Sequence, residues 1–235
     1  LDLIRTDPRE AGGKITFASP AGFGAEVLPG LFLEFQAEHP EIELFWTEIS
    51  PEVVRSAAAA APGSPDLLFA YAPLTMEGAV IDRTCRMPFV PCASPLYTAR
   101  YGAPARPSEC AAHRGILIES EWRVTSRELV KGVEREELAW RNVLRFQSIP
   151  SILQAVKLGA GISPDIPMIF ALPEIRAGRL VPVMKGWHRP PLECLLVTNP
   201  HSKEIPAVRI CRAWMLERIT RMQAEQQAQL EEALG

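Results

Sequence analysis

The sequence predicts an α/β protein of two lobes that are joined by two extended segments. Three apolar strand-like segments alternate with two helical segments over residues 14–70, a pattern typical of a parallel sheet with right-handed crossovers. A strand-rich block follows, bounded by extended segments near 86–90 and 193–198. Two crossings between lobes allow a hinge with a cleft, and ligands of open α/β sheets bind beyond the carboxyl ends of strands.

The first lobe is predicted from short elements that follow a linker-like start. Residues 1–13 contain Asp-Pro and Gly-Gly, which suit a linker. Ser19 and Pro20 carry the signature of a helix N-cap and first turn. In order, the predicted elements are a strand at 14–18, a helix through 24–38, a strand at 42–46, an Ala-rich helix at 51–61 and a strand at 66–70.

The second block begins with an extended segment at 87–93, in which Pro88 and Pro91 exclude a central-strand position over its whole length. Ser94 and Pro95 repeat the cap signature of the first lobe. Further predicted elements are strands at 115–118, 142–146, 179–184 and 192–198, a helix at 148–158 that Gly159 ends, and a terminal helix from Pro206 to about Leu230.

Composition and charge exclude several classes of protein. The 235 residues are 47 % hydrophobic and 23 % charged, as in an ordinary globular protein. The formal net charge is −3, so the chain does not have the excess of basic residues that a nucleic-acid surface needs. No apolar run reaches a membrane span of about 18 residues, and the charged start is not a signal peptide. We therefore expect a cytoplasmic chain with no membrane partner, cut from a longer protein.

The cysteines and histidines do not form a metal or catalytic pattern in the sequence. No two cysteines have C-x-x-C spacing, so we expect reduced and mostly buried thiols. No histidines form a ligand pair, and no nucleophile, base and orienting group are recognisable together. The prediction is a protein that is not an enzyme and has no cofactor and no metal. The residues concerned are Cys85, Cys92, Cys110, Cys194, Cys211, His39, His113, His188 and His201.

Six motifs in order resemble the effector-binding domain of LysR-type transcriptional regulators. The longest is residues 13–44, a strand, a small loop ending in Phe-Gly, and a helix with Leu-Pro that leads to Pro-x-Ile-x-Leu. The resemblance covers about residues 13–216. The other motifs are DLLF at 66–69, PCASPLYTARYG with two later prolines at 91–107, AHRGI at 112–116, LQAVKLGAGI at 153–162 and GRLVPV at 178–183.

The resemblance implies a two-lobed fold like the type 2 periplasmic binding proteins, with an interlobe cleft for a small, often anionic effector. It places lobe I at 14–87 and 195–235, lobe II at 88–194, and the end of a linker at 1–13. It further implies a homodimer or homotetramer that contacts DNA only through an N-terminal winged helix-turn-helix absent from this chain. Side-by-side dimers would make the helix 24–38 an interface candidate, although its apolar face can equally serve its own core.

The effector-binding residues are predicted from the cap regions and from the matching family positions. Ser19 and Ser148 can also be simple N-caps, each contributing about 1 kcal/mol. Tyr71 and Trp122 have alternative roles in packing, and the strand pattern does not fix the direction of Arg123 or Arg145. The predicted effector-binding residues are Ser19, Pro20, Ala21, Tyr71, Trp122, Gln147, Ser148 and Ser163.

Two other functions share this fold and stay open at the level of sequence. One is a solute-binding protein of a transport system, against which the unpaired cysteines and the absent signal peptide count. The other is an enzyme on a related two-lobed fold, which would need a catalytic constellation. In the regulator, the effector would act by population shift, because it would prefer one angle between the lobes.

Overall fold

The computed structural model describes residues 12–49, 54, 61–120 and 125–234. The predicted linker and the Ala-rich helix at 51–61 therefore lie almost entirely outside the described residues. The described chain divides into two compact units. Unit 1 lies within Leu1–Cys85 and Glu193–Glu225, and unit 2 lies within Arg86–Leu192 and Gln226–Gly235.

Twelve strands and six α-helices make up the described residues. The strands are β1 (Gly13–Ser19), β2 (Ile42–Glu48), β3 (Leu67–Tyr71), β4 (Val80–Met87), β5 (Phe89–Ala93), β6 (Arg114–Ile118), β7 (Glu128–Lys131), β8 (Glu134–Glu137), β9 (Asn142–Phe146), β10 (Ser163–Pro167), β11 (Val181–Pro182) and β12 (Leu192–Thr198). The helices are α1 (Ala21–Glu26), α2 (Leu28–Glu38), α3 (Pro95–Tyr101), α4 (Ile149–Lys157), α5 (Met168–Arg176) and α6 (Pro206–Leu234). A 3₁₀ helix spans Pro107–Ala112.

A five-stranded sheet in the order β2-β1-β3-β12-β4 forms the centre of unit 1. β1 pairs in parallel with both β2 and β3, which confirms the parallel arrangement predicted for the first three strands. β12 is antiparallel to β3 and also neighbours β4. β4 was not among the predicted strands, because its residues (VIDRTCRM) lack a regular apolar alternation.

The predicted helix 24–38 is wrong as a single element. Two helices, α1 and α2, meet at Val27, whose φ is −113°. Pro29 has no backbone N–H, so it cannot continue the hydrogen bonds of α1, and it is tolerated in the first turn of α2. Leu28, Leu31 and Phe35 of α2 are buried, and the Phe35 ring meets Trp214 of α6 edge-on at 5.4 Å between centroids. The helices α2 and α6 thus pack together in the core of unit 1.

Unit 2 contains a three-stranded sheet in the order β10-β5-β11 and the parallel pair β6-β9. The exclusion of a central strand by Pro91 is wrong, because Pro91 lies within β5, the central strand of three. β5 tolerates this proline because its pairing with β10 shifts register between Ser163 and Ile166. The charged hairpin β7-β8 completes the unit and was not predicted.

Buried apolar side chains from α4, α5, β5 and β6 form the larger core cluster of unit 2. A second cluster surrounds Tyr97, Cys110 and Trp187. The predicted helix at 148–158 is confirmed, with Ser148 as N-cap and Gly159 at φ 78° beyond its end. The strands predicted at 142–146 and 192–198 have the predicted bounds, whereas only Val181–Pro182 pairs within the predicted strand 179–184.

Protonation of His113 should destabilise unit 2. The side chain is buried, its Nδ1 lies 3.2 Å from the Tyr97 hydroxyl, and burial lowers its pKa while Glu109 opposes the shift. Since the unfolded state then binds more protons, the free energy of unfolding should fall as the pH falls through the ordinary histidine value of about 6.5. Chemical denaturation at several pH values measures this slope. His113→Asn should flatten the slope and the exposed control His201→Asn should not; equal slopes in both variants would contradict the assignment.

Candidate functional site

The carboxyl edge of the unit 1 sheet brings together four predicted effector residues. Phe17 and Ala18 of β1 pair with Leu67 and Leu68 of β3 in parallel register. Both strands therefore end at the same edge, β1 with Ser19 and β3 with Tyr71. Pro20 and Ala21 continue the chain from β1 into α1.

Ser19 is a buried strand residue and not a helix cap, which corrects the predicted N-cap. The N-cap of α1 is Pro20, and no side chain among the described residues caps this six-residue helix. Ser19 is held in β1 opposite Glu48 of β2, and its hydroxyl donates to the Pro20 carbonyl at 3.2 Å. The same hydroxyl accepts the indole N–H of Trp46 at 2.9 Å. The predicted anchor is therefore engaged within the chain.

Aromatic side chains surround this edge. The Trp46 indole lies against Gly24 so closely that a Cβ there would come within 2.2 Å of the ring. Phe23 of α1 stacks on Phe69 at 3.8 Å between centroids, and Tyr71 meets Phe69 edge-on at 6.0 Å. Trp46 could not be predicted as a residue of this edge, because its contact with Ser19 spans 27 residues and leaves no local signal.

In unit 2, Gln147 and Ser148 stand between the end of β9 and the start of α4. Ser148 is the N-cap, as predicted, and its hydroxyl accepts the Ser151 N–H at 3.4 Å and lies 2.8 Å from the Ser151 hydroxyl. Gln147 is exposed. A helix N-terminus carries about half a positive charge with unpaired donors, which favours an anion at this point.

Ser163 begins β10, one residue after the bridge between Ile162 and Gly115 of β6. It is fully buried, and its hydroxyl accepts the Asp165 N–H at 3.4 Å. The buried Asp165 carboxylate accepts the Ser126 hydroxyl at 2.6 Å and lies 3.4 Å from Arg189. Ser163 is thus part of a polar cluster of unit 2 that includes Asp165, Ser126 and Arg189.

A cavity of about 490 Å³ lies on the face of β6 and β9 that turns away from the larger core cluster. Arg145 lines it, with its guanidinium 3.2 Å from Glu119 and 3.4 Å from the Thr125 hydroxyl. Arg127 and Ser126 line it as well. The structure therefore gives Arg145 the direction that strand alternation did not fix, whereas Trp122 and Arg123 lie outside the described residues.

A family model described as the LysR substrate binding domain matches residues 8–220. The chain belongs to this family. It is the effector-binding domain of a LysR-type regulator, with the two-lobed α/β fold that the motifs implied.

The relatives of this LysR-type domain are longer regulators. The uncharacterized HTH-type transcriptional regulator YhjC of Escherichia coli is 28 % identical over 218 residues, which are 91 % of this chain and 70 % of YhjC. An HTH-type transcriptional regulator of Xanthomonas campestris is 26 % identical, with 92 % and 61 % covered. Full-length AphB, a virulence activator of Vibrio cholerae, superposes with a TM-score of 0.73 at 17 % identity, with 88 % and 69 % covered.

These comparisons favour the regulator over the transport protein of the same fold, because the matched family and relatives are transcriptional regulators. The LysR-type domain spans between 61 % and 70 % of these longer proteins. Among the helices in the described part of the chain, none is long and apolar enough to cross a membrane.

Gly24→Ala should displace the Trp46 indole from Ser19, because the added Cβ overlaps the ring. We expect a changed tryptophan emission spectrum and a lower free energy of unfolding. Gly30→Ala in α2 is the matched control, since its Cβ meets nothing within 4 Å and alanine favours a helix by about 1 kcal/mol. The emission of Trp46→Phe identifies the contribution of this indole. An unchanged spectrum in Gly24→Ala would show that the contact is not formed in solution.

Proposed function

We propose that the domain binds a small anionic effector with groups from the carboxyl ends of strands in both units. The observation that carries the proposal is the placement of hydroxyl and amide groups at these ends. Ser19 and Tyr71 close β1 and β3 of unit 1, and Gln147 and Ser148 follow β9 of unit 2. Ligands of open α/β sheets bind at such ends.

The helix α4 supports the choice of an anion. It is nine residues long, it has no acidic residue in its first turn, and Lys157 lies in its last turn. The helix dipole and the cap region favour negative charge at Ser148. The exposed amide of Gln147 adds a donor next to it. A carboxylate of the effector is the group that suits this end.

Unit 1 would contribute shape and one hydroxyl. The Ser19 hydroxyl already accepts from Trp46, so an effector that uses it must share or replace this hydrogen bond. Trp46 and Tyr71 are both half-buried aromatic side chains near this edge, which suits a flat or aromatic acid. Pro20 and Ala21 would approach the effector through their backbone.

Binding would regulate by differential affinity. An effector that binds one arrangement of the two units more tightly shifts the population toward it. The size of the shift is set by the difference in affinity between the two arrangements. In the whole protein, which we place in the cytoplasm, the shift would reach DNA through an N-terminal helix-turn-helix segment. We assign no catalytic step to the domain.

A thermal-shift screen with small carboxylates, aromatic acids and amino acids tests the proposal. A ligand at 100 times its dissociation constant should add about 2.7 kcal/mol of stability, or roughly 5 to 10 °C for a chain of this size. Ser148→Ala should weaken binding of a hit by roughly ten- to hundredfold, as expected for a lost hydrogen bond to a charged group.

Ser94→Ala is the matched control for this variant. Ser94 also precedes a proline-started helix, and its hydroxyl accepts the Tyr97 N–H at 3.3 Å. Both variants lose an N-cap, so both should lose about 1 kcal/mol of stability. Only Ser148→Ala should change affinity. Ser19→Ala supplies the second arm, and a hit that both Ser19→Ala and Ser148→Ala bind with unchanged affinity would refute the site.

We also propose that the domain forms side-by-side homodimers, as the family resemblance implies. Two apolar side chains of unit 1 are exposed, Leu33 of α2 at 72 % and Phe45 of β2 at 50 %. Val143 and Leu144 of β9 in unit 2 are also partly exposed. Contact between unit 1 of one copy and unit 2 of the other would cover both sets.

Leu33→Glu should therefore lower the fraction of dimer in sedimentation velocity experiments, because it places a charge in the proposed contact. Val133→Glu is the control, since Val133 is fully exposed in the turn between β7 and β8. The unmodified chain should sediment as a species of twice 26.0 kDa. A dimer that Leu33→Glu and Val133→Glu leave equally intact would place the interface elsewhere.

A further inference from the structure

Two cysteines lie on the neighbouring strands that connect the units. Cys85 is in β4, at the point where the chain leaves unit 1, and Cys194 is in β12, one residue after it returns. β4 and β12 are adjacent in the sheet. The Thr84 hydroxyl donates to the Cys194 carbonyl at 3.1 Å and lies 3.8 Å from the Cys85 sulfur. Both cysteines therefore lie next to the same hydroxyl group, that of Thr84.

The two thiols differ in access and in ionisation. Cys85 is half-buried, whereas Cys194 is 1 % exposed. The hydrogen bond from the Cys194 thiol lowers the pKa of Cys85, against the effect of burial, and Thr84 adds to the lowering. Thiolate is the nucleophilic form of cysteine. Because Cys85 is the more accessible thiol, we assign it as the one that reacts first and Cys194 as the one that would resolve its oxidised form.

The other three cysteines are different. Cys92, Cys110 and Cys211 are fully buried. Burial raises the pKa of Cys110 and of Cys211 to about 12, and it raises the pKa of Cys92 further. Buried thiols with a raised pKa are inert toward oxidants. Oxidation should therefore select one pair among five cysteines.

We propose that Cys85 and Cys194 are a hydroperoxide-oxidised pair whose disulfide joins the two connecting strands. The Cys85 thiolate attacks one peroxide oxygen, the O–O bond breaks, and sulfenic acid and water form after proton transfer. The Cys194 sulfur then attacks the sulfenic sulfur, forming the S–S bond and releasing a second water. Two thiols and one hydrogen peroxide thus give one disulfide and two waters, so the peroxide is reduced as the thiols are oxidised.

The bond would change the connection between the strands. A disulfide between Cys85 and Cys194 would add a covalent link between the two neighbouring strands β4 and β12, and a dithiol reductant would remove it again.

Peptide mapping of the 235-residue chain after hydrogen peroxide treatment tests the proposal. Trypsin cuts after Arg83, Arg86, Lys185 and Lys203, so each cysteine falls in a peptide with no other cysteine. Alkylation without reduction should show Thr84–Arg86 linked to Gly186–Lys203, with two of the five thiols lost. A dithiol reductant should restore all five. This measurement uses the unmodified chain and does not depend on any variant folding.

Variants separate the roles of the two thiols. Cys194→Ser should accumulate Cys85 sulfenic acid, which a dione reagent traps, and should form no linked peptide. Cys85→Ser should lose the reaction with peroxide, while the control Cys211→Ala should form the linked peptide at the rate of the unmodified chain. The proposal would be overturned if Cys85 and Cys194 were still fully alkylated after treatment, or if the linked peptides contained another cysteine.

Discussion

The parallel pairing of β1 with β2 and β3 is the constraint on which the candidate site depends. Ile15 and Phe17 of β1 are fully buried and fix its register between the two neighbours. A slip of one residue would turn these side chains to the other face. Because the register is fixed, Ser19 and Tyr71 end at one edge of the sheet. The composition of that edge therefore depends on how the apolar side chains of β1 pack in the core.

The same packing explains why the predicted cap failed at one place and succeeded at another. Ser19-Pro20 and Ser94-Pro95 are the same dipeptide, yet only Ser94 caps a helix. Ser19 is paired in β1, and its buried hydroxyl satisfies Trp46, a residue 27 positions away. A buried hydroxyl needs a hydrogen-bond partner. At Ser19 the nearby indole N–H fills this role, so the hydroxyl does not make the local capping hydrogen bond. The local sequence therefore indicates a possible cap, but tertiary contacts determine whether the serine forms it.

Elements with strong local signals could be predicted, and elements held by distant contacts could not. The α4 helix has a cap, an apolar face and a closing Gly159, and it was predicted within one residue. The hairpin β7-β8 is mostly charged, so its pattern contains nothing that distinguishes it from a loop. The order of the motifs was enough to predict the family, because proteins with this fold share it even when their sequence identity is low. The partners of Ser19 and the direction of Arg145 depend on distances that one sequence does not encode.

The strand β12 connects the candidate effector edge with the proposed redox pair. Cys194 is the register partner of Tyr71 in the antiparallel pair β3-β12, and β4, the strand of Cys85, lies on the other side of β12. A disulfide between β12 and β4 would therefore modify the strand against which Tyr71 is held. If the effector contacts Tyr71, we expect its affinity to differ between the dithiol and the disulfide. Linkage is reciprocal, so a bound effector must change the tendency of the pair to oxidise by the same free energy.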